Sequence, residues 1–300
     1  MESILIIGGL GMLGSQVLKE FCNSNFKIHA TFRHKKDKAI FEKKYPEKIK
    51  KITFHKFDIA KCTFGGLKKL VKNKRVIINC AGIIKPYINE ENFKSVETAI
   101  NVNSIFPHML NSVIKKKNIR VYQIATDCVF SGKEGNYDES SLHDAVDVYG
   151  KSKSMGEVQS LNFFNLRCSI IGNEIKNRKS LIEWFNSAKK NSSLNGFYDH
   201  LWNGITTNAY ANLIKTIIEK KINIPNNFNI IPRNKINKYE LLKLFKDAFD
   251  REDLTIHKIK SRKSINRTLK SKFMKKNLEL WKKSKYKGIP NIKKLVMEIK

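Results

Sequence analysis

Residues Ser3 to Cys22 read SILIIGGLGMLGSQVLKEFC, and this stretch sets the fold class. Ser3 to Ile7 is a short unbroken apolar run, the pattern of a central parallel strand covered on both faces. The next seven residues hold two overlapping spacings, Gly9-x-Gly11-x-x-Gly14 and Gly8-x-x-Gly11-x-x-Gly14. Glycines here let the turn tighten, let the backbone approach a pyrophosphate and let the next helix pack on the strand, while the helix N-terminus attracts the anion. Ser15 to Cys22 supplies the amphipathic run expected of that helix. A glycine pattern alone is a weak signal; strand, glycines and helix in this order give it meaning.

Further strands follow at regular intervals. Lys27 to Phe32 is the second, and it ends at Arg33, followed by His34, Lys35 and Lys36. NAD-binding proteins usually place an acid there for the ribose hydroxyls, whereas a guanidinium suits a 2′-phosphate, so NADPH is favoured, with NADH possible. Ile52 to Phe57 is the third strand, closed by Asp58-Ile59, a position that can meet an adenine. Val76 to Asn79 is the fourth, running into Cys80-Ala81-Gly82, where small residues let a cofactor lie on the backbone. A long helix is expected over Phe93 to Lys117, with Asn101 on it, and the fifth strand, Val121 to Ala125, leads to Thr126. Strand alternating with helix at these lengths predicts an α/β fold, a doubly wound parallel sheet of Rossmann type, with ligands at the carboxyl ends of its strands.

The chemistry is carried by Ile124 to Glu157, IATDCVFSGKEGNYDESSLHDAVDVYGKSKSMGE. Tyr149 and Lys153, four residues apart on a helix, project from one side. A free tyrosine has a pKa of about 10, and an adjacent ammonium favours the phenolate and lowers it. Tyr149 can then serve as general acid or base on a substrate oxygen, with the Thr126 hydroxyl bonded to that same oxygen. Such a group fits the interconversion of an alcohol and a ketone beside a nicotinamide. Tyr239 and Lys243 repeat the spacing, but no strand-end hydroxyl precedes them, and they begin an amphipathic run that reads as packing.

Composition restricts the rest. A chain of 300 residues allows one large domain or two. No apolar run approaches the roughly 20 residues of a membrane helix, and the N-terminus reads as a strand instead of a signal peptide, so a cytoplasmic protein without membrane insertion is expected. Five cysteines without CxxC spacing read as reduced packing thiols, and no metal site is indicated. The net charge is +31, and the last fifty residues carry 17 basic against 4 acidic side chains. No nucleic-acid module accompanies these lysines, so a solvated basic face is expected ahead of a polyanion or membrane-surface site, and nucleic acid is not.

After Phe163 to Cys168, the sixth strand, the alternation breaks. Leu181 to Lys190 is helix-like, NSSLNGFYDHLWNGITT (191 to 207) is an aromatic, glycine-bearing segment suited to a sugar or base or to loop packing, Asn208 to Lys221 is a helix, Phe228 to Ile231 a last strand and Tyr239 to Phe249 a helix. Residues 1–172, rejoined by about 205–232, are expected to form the dinucleotide-binding domain, with 173–204 and 233–300 a smaller C-terminal substrate-binding domain.

With these residues assembled, the chain resembles the extended short-chain dehydrogenase/reductase superfamily and, within it, the dTDP-4-dehydrorhamnose reductase family. The matching pieces are GGLGMLG, NCAG, NVNSIFPHML, ATDCVFSG with YDES, YGKSKSMGE and LRCSIIG, in the family's order over the first 172 residues, with WNGITT (202 to 207) as a diverged substrate-side motif. The resemblance implies a catalytic trio of Thr126, Tyr149 and Lys153. It implies that Gly8, Gly11, Met12, Leu13, Gly14, Arg33, Asp58, Ile59, Cys80, Ala81, Gly82 and Asn101 hold the cofactor, together with Tyr149 and Lys153. Asp127, Val129, Trp202, Asn203 and Thr206 would hold the substrate. The implied reaction is NAD(P)H-dependent reduction of the 4-keto group of a nucleoside-diphosphate 4-keto-6-deoxy sugar for surface polysaccharide, in a homodimer. Cys128 stands where related 4,6-dehydratases carry an acid, which argues against dehydration. A 4-epimerase with the same trio and a non-catalytic NADP-binding regulatory subunit, like the β subunit of methionine adenosyltransferase, are the alternatives.

Overall fold

The computed structural model describes residues 2–175 and 179–299. The chain forms two compact units, one of residues 1–125, 145–166 and 224–228, the other of 126–144, 167–223 and 229–300.

The first unit is built on a sheet that holds seven strands among the described residues. β1 (Ser3–Ile7), β2 (Lys27–Phe32), β3 (Ile52–Lys56), β4 (Val76–Asn79), β5 (Arg120–Ala125) and β6 (Phe163–Arg167) are joined by Asn227–Asn229. β1 pairs in parallel with both β2 and β4, β2 with β3, and β4 with β5. The order from one edge is 227–229, β6, β5, β4, β1, β2, β3, so the winding reverses between β1 and β4, the place where a doubly wound sheet binds ligands. Ile4 to Ile7 are completely buried, as their unbroken apolar run predicts. Leu5, Ile7, Ile77 and Val121 pack under helices through Leu67, Phe106 and Leu110.

The helix expected over Phe93 to Lys117 is interrupted. It runs as Phe93–Ile100, then a π-helical turn at Asn101–Ile105, then Phe106–Ile114. Within the turn the Phe106 N–H donates to the Asn101 carbonyl, five residues back. Pro107 is the cause: it has no N–H for the carbonyl of Asn103, so the ladder must shift there. The released carbonyl is met by Gly156, where a Cβ would lie 1.8 Å from the Asn103 oxygen. Gly156 closes the Val148–Met155 helix, and its own carbonyl accepts from Gln123 Nε2 at 2.7 Å. Gln123 continues a buried polar row across the sheet, accepting from Asn79 at 2.9 Å, while Asn165 donates to Asn227 at 2.9 Å. Both ends of this row are satisfied inside the unit, which fixes the height of the Val148–Met155 helix on the sheet.

The second unit has short strands instead of a long sheet. Ser193–Phe197 pairs in parallel with Thr255–Ile259, and Ile205–Thr206 with Ile170–Ile171. His200–Trp202 lies between Ile236–Asn237 (antiparallel) and Ile265–Asn266 (parallel). The aromatic segment 191–207 is therefore mainly strand, in pieces too short to show alternation. Helices Leu181–Asn186, Lys238–Ala248 and Ile292–Met297 pack around Phe185, Leu241, Phe245 and Val296. The helix expected at Asn208 to Lys221 is Thr207–Glu219, capped by the Thr206 hydroxyl. Tyr239 and Lys243 lie on the Lys238–Ala248 helix, where the ammonium sits 5.8 Å from the centre of the ring and Tyr239 packs on Gly196.

Candidate functional site

In the first unit the glycine turn leaves β1 in a conformation only glycine adopts easily. Gly8 has φ +73°, and its N–H donates to Thr31 Oγ1 at 2.9 Å. A Cβ at Gly8 would press on the Ala81 backbone at 3.0 Å, and one at Gly14 would lie 2.1 Å from the Gly8 carbonyl. The Met12–Phe21 helix starts at Gly11 with no side-chain cap and no acid in its first turn. Its first N–H groups and the positive end of its dipole therefore suit an anion, and the cradle fits a dinucleotide pyrophosphate. Met12 and Leu13 open the helix, Leu13 facing the core.

The other residues expected at the cofactor lie at strand ends. Arg33 is exposed directly after β2, its Nε donating to His34 at 2.8 Å. Asp58 follows β3 by two residues and caps the turn Ile59–Lys61, accepting from Ala60 N–H at 3.1 Å. Cys80, Ala81 and Gly82 follow β4, with the Ala81 N–H on Asn79 Oδ1 at 3.3 Å. Burial pushes the Cys80 thiol well up, so it stays a neutral thiol. All five cysteines are unpaired with one another, as expected of reduced thiols.

Tyr149 and Lys153 occupy successive turns of the Val148–Met155 helix, whose N-terminus is capped by Asp147. Lys153 is buried, and its ammonium donates to the Ile124 carbonyl at 2.8 Å, one residue before the end of β5. A Cβ at Gly82 would sit 3.4 Å from Asn103 Oδ1 and 4.0 Å from Lys153 Nζ, so both border the backbone after β4. Asn101 starts the π turn and spends its carbonyl on Phe106. Asn103 is the member of that turn tied into the site: Oδ1 accepts from Ile83 N–H at 2.9 Å, and Nδ2 donates to the Ile83 carbonyl at 2.9 Å and to Ser152 Oγ at 3.1 Å. The signal for Asn103 was Pro107 four residues on, which frees its carbonyl and distorts the helix.

In the second unit Thr126 follows β5 directly and opens the turn Asp127–Val129. Its hydroxyl accepts from Cys128 N–H at 3.2 Å and donates to Asp127 Oδ1 at 3.3 Å. Asp127 is buried. Burial pushes its carboxyl up, against the charges of Arg267 and Lys238 and the hydroxyls of Thr126 and Ser169, which pull it down. Burial pulls the Lys238 ammonium down, with the Asp127 charge opposing. Lys238 lies 5.5 Å from the centre of the Trp202 ring, and Trp202 Nε1 donates to Ser169 Oγ at 2.8 Å. Thr126, Asp127, Ser169, Trp202 and Lys238 thus form one connected group.

Val129 is fully buried below that turn, beside Phe130, whose ring stacks on Tyr137 at 4.3 Å. Asn203 and Thr206 are engaged with backbone. Asn203 donates to the Leu269 carbonyl at 2.7 Å and accepts from the Leu269 N–H at 2.8 Å, and Thr206 accepts from Ala209 N–H at 3.2 Å. Ser169, Lys238 and Arg267 escaped the sequence reading because nothing in their spacing connects residues 40 to 140 positions from Asp127.

The RmlD substrate-binding domain family matches residues 1–291. The chain belongs to that family. Membership upholds the expectation of an NAD(P)-dependent oxidoreductase of the short-chain type, and the sheet order upholds the Rossmann expectation. Among curated relatives, methionine adenosyltransferase 2 subunit beta of Danio rerio is 24% identical over 264 residues, covering 82% of this chain and 74% of that protein. The dTDP-4-dehydrorhamnose reductase of Bacillus anthracis, solved with NADP, superposes with a TM-score of 0.72 at 15% identity over 99% of this chain and 98% of that one. The UDP-glucuronic acid 4-epimerase of Bacillus cereus, solved with UDP-glucuronic acid and NAD, gives 0.76 at 16% identity over 99% and 97%. Within this RmlD-family chain, no helix of the described residues is long and apolar enough to cross a membrane, and no group of three or more His, Cys, Asp or Glu is placed to hold a metal.

Proposed function

We propose that this RmlD-family protein reduces the 4-keto group of a nucleoside-diphosphate 4-keto-6-deoxy sugar with NADPH, in the supply of a surface polysaccharide. The observation that carries the reading is the buried Lys153 ammonium, held on the Ile124 carbonyl one helical turn from Tyr149 and bordering the backbone of Gly82. The cofactor is assigned to Gly8, Gly11, Met12, Leu13, Gly14, Arg33, Asp58, Ile59, Cys80, Ala81 and Gly82, and in the π turn to Asn101, with Asn103 bracing the backbone after β4. When bound, the nicotinamide supplies the hydride, and the protein supplies placement and a proton.

Tyr149 is the proton donor to the ketone oxygen, and Lys153 sustains its phenol in a readily exchanged state. Thr126 bonds the same oxygen, and Asp127, Val129, Trp202, Asn203 and Thr206 shape the sugar side. Ile105 and Met155 are exposed apolar side chains near the His108 bond to the Met155 carbonyl, which supports a homodimer through these helices. The similarity to methionine adenosyltransferase 2 subunit beta favours one second reading, a non-catalytic NADP-binding subunit.

The test is NADPH oxidation with dTDP- and UDP-linked 4-keto-6-deoxy sugars, for the natural chain and Tyr149→Phe. We expect turnover that falls about 100-fold or more in the variant, the usual scale for loss of a positioned acid. Tight NADPH binding with no turnover of either ketone would transfer the assignment to the regulatory subunit. Interconversion of two nucleotide sugars without net NADPH consumption would transfer it to the epimerase.

A further inference from the structure

The strongest uncommitted feature is on the basic C-terminal part of the second unit. The helix Met274–Lys283 buries Asn277, Leu280 and Trp281, with Trp281 Nε1 donating to the Ile231 carbonyl at 3.1 Å. Along the rim of that buried face the apolar character continues to the surface. Phe273 is 38% exposed, Met274 44% and Leu278 40%, which is unusual for three large side chains within six residues. At about 100° per residue, Met274 lies roughly 20° and Leu278 roughly 60° from the buried Trp281, so both border the buried face, and Lys282 and Lys275 come next around the helix. Lys272, Lys275 and Lys282 are exposed around the apolar trio. Glu279 is the acid of this helix, roughly 40° beyond Lys275, and its carboxylate is paired with Lys276 and Lys283 at 3.0 and 2.8 Å.

We propose that this face is a docking surface for an anionic lipid bilayer. Charge complementarity selects the sign: lysines ring the patch, and the last fifty residues carry 17 basic against 4 acidic side chains. The apolar trio selects the bilayer over a nucleic acid or other soluble polyanion, because a phosphate backbone offers nothing for three aliphatic and aromatic side chains to enter. The three side chains enter the headgroup region while the lysine ammoniums rest among lipid phosphates, with their stems along the apolar surface. The association is peripheral, since the helix has ten residues and the face adjoining the patch is committed to the core.

The test is co-sedimentation of the full chain with vesicles of phosphatidylcholine alone and of phosphatidylcholine with 30% phosphatidylglycerol, beside retention on heparin. The natural chain should bind the anionic vesicles at least about tenfold more than the neutral ones, with salt sensitivity. Phe273→Ser/Met274→Ser/Leu278→Ser should lose most vesicle binding and keep its heparin retention, and Lys272→Gln/Lys275→Gln/Lys282→Gln should weaken both. All six positions are exposed, and unchanged thermal melting of both variants verifies their folding. Equal binding of the two vesicle types, no vesicle binding, or unchanged vesicle binding in the serine variant would overturn the proposal. So would a shift of the serine variant from dimer to monomer in sedimentation, which would assign the face to a second copy.

Discussion

The two units hold their functional side chains by different means. In the first, the site is made by backbone: glycines at 8, 14 and 156 stand where any Cβ would strike a neighbouring chain, and Lys153 is anchored on a strand carbonyl. In the second it is made by side chains, with Asp127 among Thr126, Ser169, Arg267 and Lys238, and Asn203 clamping both polar groups of Leu269. Backbone contacts tolerate no added atom, whereas a side-chain network degrades by one interaction at a time. Substitution in the glycine turn of the first unit should therefore act abruptly, and loss of one side chain from the network of the second gradually.

The largest effect on cofactor binding should come from Gly14→Ala. Its methyl would meet the Gly8 carbonyl at 2.1 Å, so the turn must open. We expect NADPH affinity to fall about 100-fold, equivalent to about 2.7 kcal/mol, in a titration followed by nicotinamide fluorescence. Binding within a factor of three of the natural chain would break the contrast at its strongest point.

Asn203→Ala tests the second unit. It strands a buried N–H and a buried carbonyl of Leu269, which should cost about 2–4 kcal/mol in urea unfolding, with NADPH affinity retained. A loss of cofactor affinity as large as that of Gly14→Ala would show that the distinction between the units is false.

A smaller effect concerns a pair of titrating side chains inside the first unit's sheet. His29 Nδ1 and His55 Nε2 are 2.9 Å apart on β2 and β3, and burial first, then the charges of Lys74, His55 and Lys27, hold His29 down at about 4. Because the folded value lies below the unfolded one of about 6.5, the unfolded chain takes up the proton first as pH falls. This contribution is complete above about pH 6.5 and is lost progressively toward pH 4. Melting temperatures over pH 4–8 should fall on the acid side, and His29→Gln should flatten that slope.

The smallest effect is expected at Arg33, an exposed side chain in neither kind of scaffold. Arg33→Ala should raise the KM for NADPH about five- to tenfold and leave that for NADH nearly unchanged, the scale of one exposed charge-assisted contact. Equal changes for both cofactors would remove Arg33 from 2′-phosphate recognition.

Much of the first unit was legible from its residues. β1, β2 and β4 fall at the expected positions; β1 and β4 are almost wholly apolar because both of their faces are buried, and they end where glycine or polar residues begin. Tyr149 and Lys153 share a helix for the same local reason, four residues making one turn. Legibility failed at the π turn, where Asn103 and not Asn101 braces the backbone after β4, since a helix pattern does not reveal which carbonyl loses its partner until Pro107 is considered. It failed more widely over 191–207, read as an irregular aromatic segment and found to be strands of two to five residues.

By itself, then, the sequence determined the sheet, its glycine turn and the Tyr149/Lys153 pair, since each is encoded within a few consecutive residues by periodicity, chirality or the absence of a side chain. Only the tertiary structure decided that Lys153 bonds Ile124, that Asn103 clamps Ile83, and that Lys238, Arg267 and Ser169 surround Asp127. Those contacts join residues 20 to 140 positions apart, and their energy depends on burial and on which charges share a low-dielectric interior, quantities that exist only once the chain has closed on itself.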